Sequence, residues 1–143
     1  MERLKRICAV ALDFATVNHV ETTYQFKQFD YGANDVYVQV MNNGEVIQLD
    51  DEVIVSVFKD STGEIVFDVQ NKPVRSYGRI IDAKQGLVVV PVPNQALKKV
   101  GKVISEMMVV SADGTKRLTS PSFSFSVSPS IFDFEIPVKN KEE

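Results

Sequence analysis

Apolar and polar positions alternate along most of the chain. Val36, Val38 and Val40 fall on one side of an extended segment, with Tyr37, Gln39 and Met41 on the other. That is the period of a half-buried strand. Asn43-Gly44 follows at once, and both residue types tolerate the positive φ of a tight turn. Residues 45–49 then return as the second arm of a hairpin. A second hairpin is expected next. Val53, Val55 and Val57 alternate with Ile54, Ser56 and Phe58, Asp60-Ser61-Thr62-Gly63 supplies the turn, and residues 64–70 return with Ile65, Phe67 and Val69 on one face. Apolar sets on both faces of residues 53–58 suggest an inner strand covered on both sides, or a strand near a contact surface.

Further on, Lys72-Pro73 marks a connection, because proline cannot donate to a sheet ladder. Residues 79–82 read as a short strand, and residues 87–92 as a β-branched strand that Pro91 and Pro93 either confine to an edge or end. Residues 94–100 form the one helical turn expected, with Asn94 as N-cap and Gly101 placed to stop it. Residues 102–111 and 116–128 form the last hairpin around Asp113-Gly114. There Phe123, Phe125 and Val127 alternate with Ser122, Ser124 and Ser126, placing aromatics inward and serines outward. Near the start, Cys8, Val10, Leu12 and Phe14 share one face of a strand, and residues 20–29 form another with Tyr24 and Phe26 on one side. Strands at this spacing imply an all-β, antiparallel, Ig-like β-sandwich over residues 1–136. Residues 137–143 are charged, lack apolar spacing and read as a mobile end or the start of a linker.

Composition narrows the function. The 143 residues suit one domain, and the formal net charge of -3 offers no bulk attraction to nucleic acid or anionic lipid. No apolar run approaches the roughly 20 residues of a membrane helix. The basic start, Arg3 to Arg6, precedes an apolar stretch that Asp13 interrupts, so a first strand is the better reading than a signal peptide. The single Cys8 has no internal disulfide partner and, among alternating apolar residues, reads as a small buried hydrophobe.

Candidate chemistry is sparse. His19 is the only histidine, so any serine or cysteine triad would have to use it, and no serine sits in a nucleophile elbow. One His and one Cys cannot build a zinc site. Asp50-Asp51-Glu52 lacks the spacing and glycine of a calcium loop and reads as a solvated turn. Asp13, Glu21, Asp30, Asp35, Glu64 and Asp68 are carboxylates of the type used in glycoside hydrolysis, but nothing selects a pair. No catalytic, metal or cofactor site is therefore assigned. Tyr24, Phe26, Phe29 and Tyr31 either fill the core or stack on a ligand. Ile131, Phe132, Phe134 and Ile136 lie beyond Pro129 and must cover something, either their own core or a neighbouring subunit.

The order of these pieces resembles the N-terminal domain of the phage baseplate upper protein family. The features are Leu12-Asp13-Phe14, the run from Asp35 to Val40 with its return at Val46-Ile47-Gln48-Leu49, the segment from Val53 to Lys59 with Ile65-Val66-Phe67, the run from Gly86 to Pro93 leading into Gln95-Ala96-Leu97, Gly101-Lys102-Val103, and Thr119 to Val127 with Ser130-Ile131. The resemblance implies a non-enzymatic structural protein of a phage or prophage tail, located in the virion baseplate and made in the bacterial cytoplasm. Such a domain docks to the baseplate core and supports receptor-binding components. Its partners would be other tail proteins, with self-association in the assembled tail an option, and no cofactor. Ile131, Phe132, Phe134 and Ile136 are the expected interface. The competing reading on the same architecture is a carbohydrate-binding module using Tyr24 or Tyr37.

Overall fold

A computed structural model describes residues 4–132. It contains eleven strands: β1 (Arg6–Asp13), β2 (Val20–Lys27), β3 (Asn34–Asn42), β4 (Glu45–Val46), β5 (Val53–Lys59), β6 (Ser76–Tyr77), β7 (Arg79–Asp82), β8 (Leu87–Pro91), β9 (Gly101–Val110), β10 (Arg117–Thr119) and β11 (Phe123–Ser128). They form two sheets packed as a sandwich. The first has the order β1-β3-β8-β7 with β4 also on β3, and the second β2-β11-β9-β5-β6 with β10 also on β9. Alternating side chains meet between them: Leu12, Val36, Val38, Val88 and Val90 from one sheet, and Phe26, Ile54, Phe58, Val103, Phe123 and Phe125 from the other. Phe125 is the aromatic centre, with Phe26 edge-on at 4.9 Å and Phe58 tilted at 6.3 Å.

The sandwich is mixed rather than wholly antiparallel. β1 runs parallel to β3, and β2 parallel to β11. The cause is topological. Parallel neighbours need a crossover, and β2 provides one by crossing to the second sheet before β3 returns to the first. A tight turn dictates antiparallel order locally, as at Asn43-Gly44, whose two residues have φ of 53° and 81°, while β3 with β8 and β5 with β9 pair antiparallel across longer connections.

Other departures have local causes. Residues 64–70 do not form a return strand; two isolated bridges, Lys59 to Ile65 and Phe67 to Pro73, are all that pair there. Asp68 accepts the backbone N–H groups of Gln70 and Lys72 at 2.8 and 3.0 Å and folds the chain into a turn. The inward residue is Val66, while Val69 is fully exposed. β8 is an inner strand between β3 and β7, so Pro91 ends it without making it an edge. β5 buries Ile54, Ser56 and Phe58 and leaves its valine face partly open. Residues 116–128 divide into β10 and β11 at Ser120-Pro121. There Ser120 donates its N–H to the Met107 carbonyl at 2.7 Å, and its Oγ accepts the Met107 N–H at 3.0 Å. The helical turn is a 3-10 turn at Asn94–Leu97, entered from Pro93 in extended conformation, so Asn94 is its first residue and not its cap.

The chain changes sheets at Gly78. Its N–H donates to Ile54 O at 2.9 Å, holding the end of β6 to the second sheet, and the next residue begins β7 in the first. A Cβ at Gly78 would meet Ile54 Cγ2 at 2.8 Å, Ile54 Cβ at 3.0 Å and Val90 Cγ2 at 3.2 Å. The backbone therefore passes between the sheets at a point with no room for a side chain.

The two ends of the sandwich differ. At one end the 3-10 turn buries Ala96 and Leu97, and Phe29 donates its N–H to Leu97 O at 3.0 Å. At the other, β4 and β10 are short and the space between the sheets is left open.

Candidate docking surface

Asp13 stands where β1 ends beside the β3–β4 turn. Its carboxylate accepts backbone N–H groups from Ala15 at 2.9 Å, Asn43 at 2.8 Å and Gly44 at 2.7 Å. Those donors, Ala15 first, hold its pKa below the ordinary carboxylate value. The side chain is a structural clasp between strand and turn. Glu21 pairs with Lys102, which lowers its pKa. Asp30 pairs with Arg6 at 3.3 Å and Asp35 with Lys5 at 3.1 Å. Asp13, Glu21, Asp30 and Asp35 are thus each held by a separate partner.

His19 contacts two serines of β11, with Nδ1 2.7 Å from Ser122 Oγ and Nε2 3.3 Å from Ser124 Oγ. Both ring nitrogens face hydroxyls, so no carboxylate orients the imidazole as in a triad. The serine face of β11 is correspondingly less open than alternation suggests, because Ser124 is buried under His19 and Thr22. Cys8 is fully buried; burial pushes its thiol pKa up, against a weak contact with Thr22 Oγ1 at 3.8 Å. The acidic run is a turn in which Glu52 accepts the Asp50 N–H at 2.6 Å, and no group of three metal-ligating side chains occurs among the described residues.

The aromatic candidates separate. Tyr24 turns inward onto Phe26 at 4.9 Å, and Tyr37 lies on the outer side of β3 in the other sheet. They share no surface on which a sugar could stack. Phe26 is buried, and Tyr31 packs against the core from its edge.

Three apolar surfaces remain. Ile131 is 91% exposed and Phe132 63% exposed, just past the end of β11. Phe134, Ile136 and residues 137–143 lie outside the described residues. The outer face of the second sheet presents Val55, Val57, Tyr77 and Met108, interrupted by Glu106, Arg75 and Arg117. The open end of the sandwich forms a cleft of about 370 Å³ whose floor includes Phe14, Ile47, Leu49 and Val109. Leu118 points into it from β10 yet is 55% exposed. The sequence marks residues 53–58 as covered on both sides or near a contact surface, but it does not single out the cleft. The cleft could have been found only by asking which inward position, Leu118, has no strand opposite it.

Comparison with known proteins identifies the kind of domain these surfaces belong to. Residues 9–143 match the family described as the BppU N-terminal domain. The chain belongs to the BppU N-terminal domain family. This is a structural domain of phage baseplates. Among solved structures, the N-terminal domain of phage TP901-1 ORF48 matches with a TM-score of 0.64 at 14% identity, covering 85% of this chain and 97% of that one. CopC from Methylosinus trichosporium OB3b matches at a TM-score of 0.35 and 22% identity, covering 53% of this chain and 62% of that one, too distant to bear on the BppU-type domain. None of the curated proteins matches the chain.

Proposed function

We propose that this BppU-type domain is a non-enzymatic adaptor that docks to the core of a phage or prophage tail baseplate and supports receptor-binding components there. It is made in the host cytoplasm, and it works through its surface. The observation that carries this reading is the family match across residues 9–143. The exposure of Ile131 and Phe132 beside the last strand supports placing contact in the segment Ile131, Phe132, Phe134 and Ile136.

The test is co-expression with the baseplate-core proteins of the same tail gene cluster, followed by affinity capture. The full chain is expected to capture one of them. Phe132→Ser with Phe134→Ser is expected to abolish capture while leaving the far-UV circular dichroism unchanged. Capture undiminished by that pair would overturn the assignment of the surface, and no capture by the unaltered chain would overturn the docking role.

A further inference from the structure

The open cleft has the makings of a receptor for an apolar, acidic segment. Its floor is aliphatic and aromatic, from Phe14, Ile47, Leu49, Val109 and Leu118. Its rim carries Lys116, Arg117 and Glu52. The Glu52 carboxylate is engaged by the Asp50 N–H, whereas neither cation pairs with a carboxylate among the described residues. The rim therefore favours an acidic visitor.

The chain holds such a segment. Phe132, Phe134 and Ile136 alternate with Asp133 and Glu135. Laid out as an extended strand, it puts the apolar side chains on one side and the carboxylates on the other. Its phenylalanines fall short of the cleft of their own chain at any extension. Val127 pairs with Gly101 at the capped end, and Val109 lies eight residues further along β9. That separation is about 27 Å at roughly 3.4 Å per residue. Phe134 is six residues past Ser128, a span of at most about 22 Å when fully extended.

We infer that residues 132–136 of one copy dock in the cleft of a second copy, with the phenylalanines on the floor and Asp133 and Glu135 at Lys116 and Arg117, so that copies join head to tail. The inference rests on the reading of this segment as a contact surface and adds the surface that receives it. Such a contact is heterologous, using different patches on the two partners, and propagates into a ring or a filament.

The test uses the full chain and a fluorescein-labelled peptide of residues 129–138. The peptide is expected to bind the chain. Leu118→Arg, at an exposed position that leaves the fold intact, is expected to weaken it at least about tenfold. Lys116→Glu with Arg117→Glu is expected to do the same, and a peptide carrying Asp133→Lys and Glu135→Lys to restore binding to that variant. In sedimentation velocity the unaltered chain is expected to associate with rising concentration. Leu118→Arg and the pair Phe134→Ser with Ile136→Ser are each expected to be monomeric alone and to form a 1:1 heterodimer when mixed, since one intact contact remains. Peptide binding indifferent to Leu118→Arg overturns the inference, as does a unaltered chain that stays monomeric. A monomer that binds the peptide only after Phe134→Ser with Ile136→Ser would show the segment seated in its own cleft, and also overturns it. In each of those cases, capture of a baseplate-core protein that survives Leu118→Arg leaves the proposed function standing.

Discussion

Replacing Gly78 by alanine isolates the point where the chain passes between the sheets. The added Cβ would lie 2.8 Å from Ile54 Cγ2 and 3.2 Å from Val90 Cγ2, against the roughly 3.5–4.0 Å at which carbon atoms rest. Both neighbours are buried, one from each sheet, so relief requires the sheets to part or both side chains to leave their rotamers. Overpacking of this kind costs about 1–3 kcal/mol, which for a domain of this size is a fall in Tm of about 3–12 °C. The assay is urea unfolding followed by circular dichroism and tyrosine fluorescence, the chain having no tryptophan. Ile54→Leu removes the branched Cγ2 and keeps the volume, so the double variant is expected to recover about 0.5–1.5 kcal/mol relative to the sum of the single ones. Gly63 serves as the control, with a φ of +83° and open space around it. There alanine loses through backbone strain of about 1–2 kcal/mol, Ile54→Leu changes nothing, and asparagine is milder than alanine because it tolerates that φ. At Gly78 the larger asparagine is expected to be worse than alanine. Additive effects at Gly78 and Ile54, or asparagine better tolerated there than alanine, would refute the steric account.

Two further outcomes follow from the hydrogen bonds. Ser120→Ala leaves the Met107 N–H without its acceptor in a buried setting, and is expected to cost about 1–3 kcal/mol, with faster hydrogen exchange at the Met107 amide; unchanged exchange there would argue against it. Asp113 is held down to a pKa of about 2 by the Thr115 N–H and the hydroxyls of Ser111 and Thr115. Because its folded pKa is depressed, its contribution is complete above the unfolded value of about 3.9 and disappears as pH falls through about 2. The Tm difference between the unaltered chain and Asp113→Asn is therefore expected to close across that interval, and a gap independent of pH would contradict the role.

How far the sequence discloses this molecule depends on whether a feature is local. Phe123, Phe125 and Val127 are inward as alternation requires, and Asn43-Gly44 and Asp113-Gly114 turn where their conformational tolerance places them. Periodicity reports which side of a strand is buried but not which strand lies beside it. The parallel pairings of β1 with β3 and β2 with β11 join segments with no turn between them, so no short-range signal encodes them. The same holds for His19 with Ser122, which are 103 residues apart. Ile65, Phe67 and Val69 fail in the other direction. Their alternation is real, but Asp68 captures the backbone N–H groups that a strand would need and the turn prevails. Asp13 was visible as an acid at a strand end, while its role as a clasp needed the β3–β4 turn to arrive beside it. Gly78 looks like any other glycine until both sheets are in place.

The pairing of β2 with β11 sets the order in which a ribosome can deliver a finished molecule. Val20 waits for Phe123, and at translation rates of about 5–20 residues per second the interval is on the order of 5–20 s. Throughout it the inner aromatic of β2, Phe26, has neither its neighbouring strand nor Phe125 to cover it. A nascent chain that stops before residue 123 therefore leaves the edge of β2 and the ring of Phe26 without the strand that covers them in the finished domain.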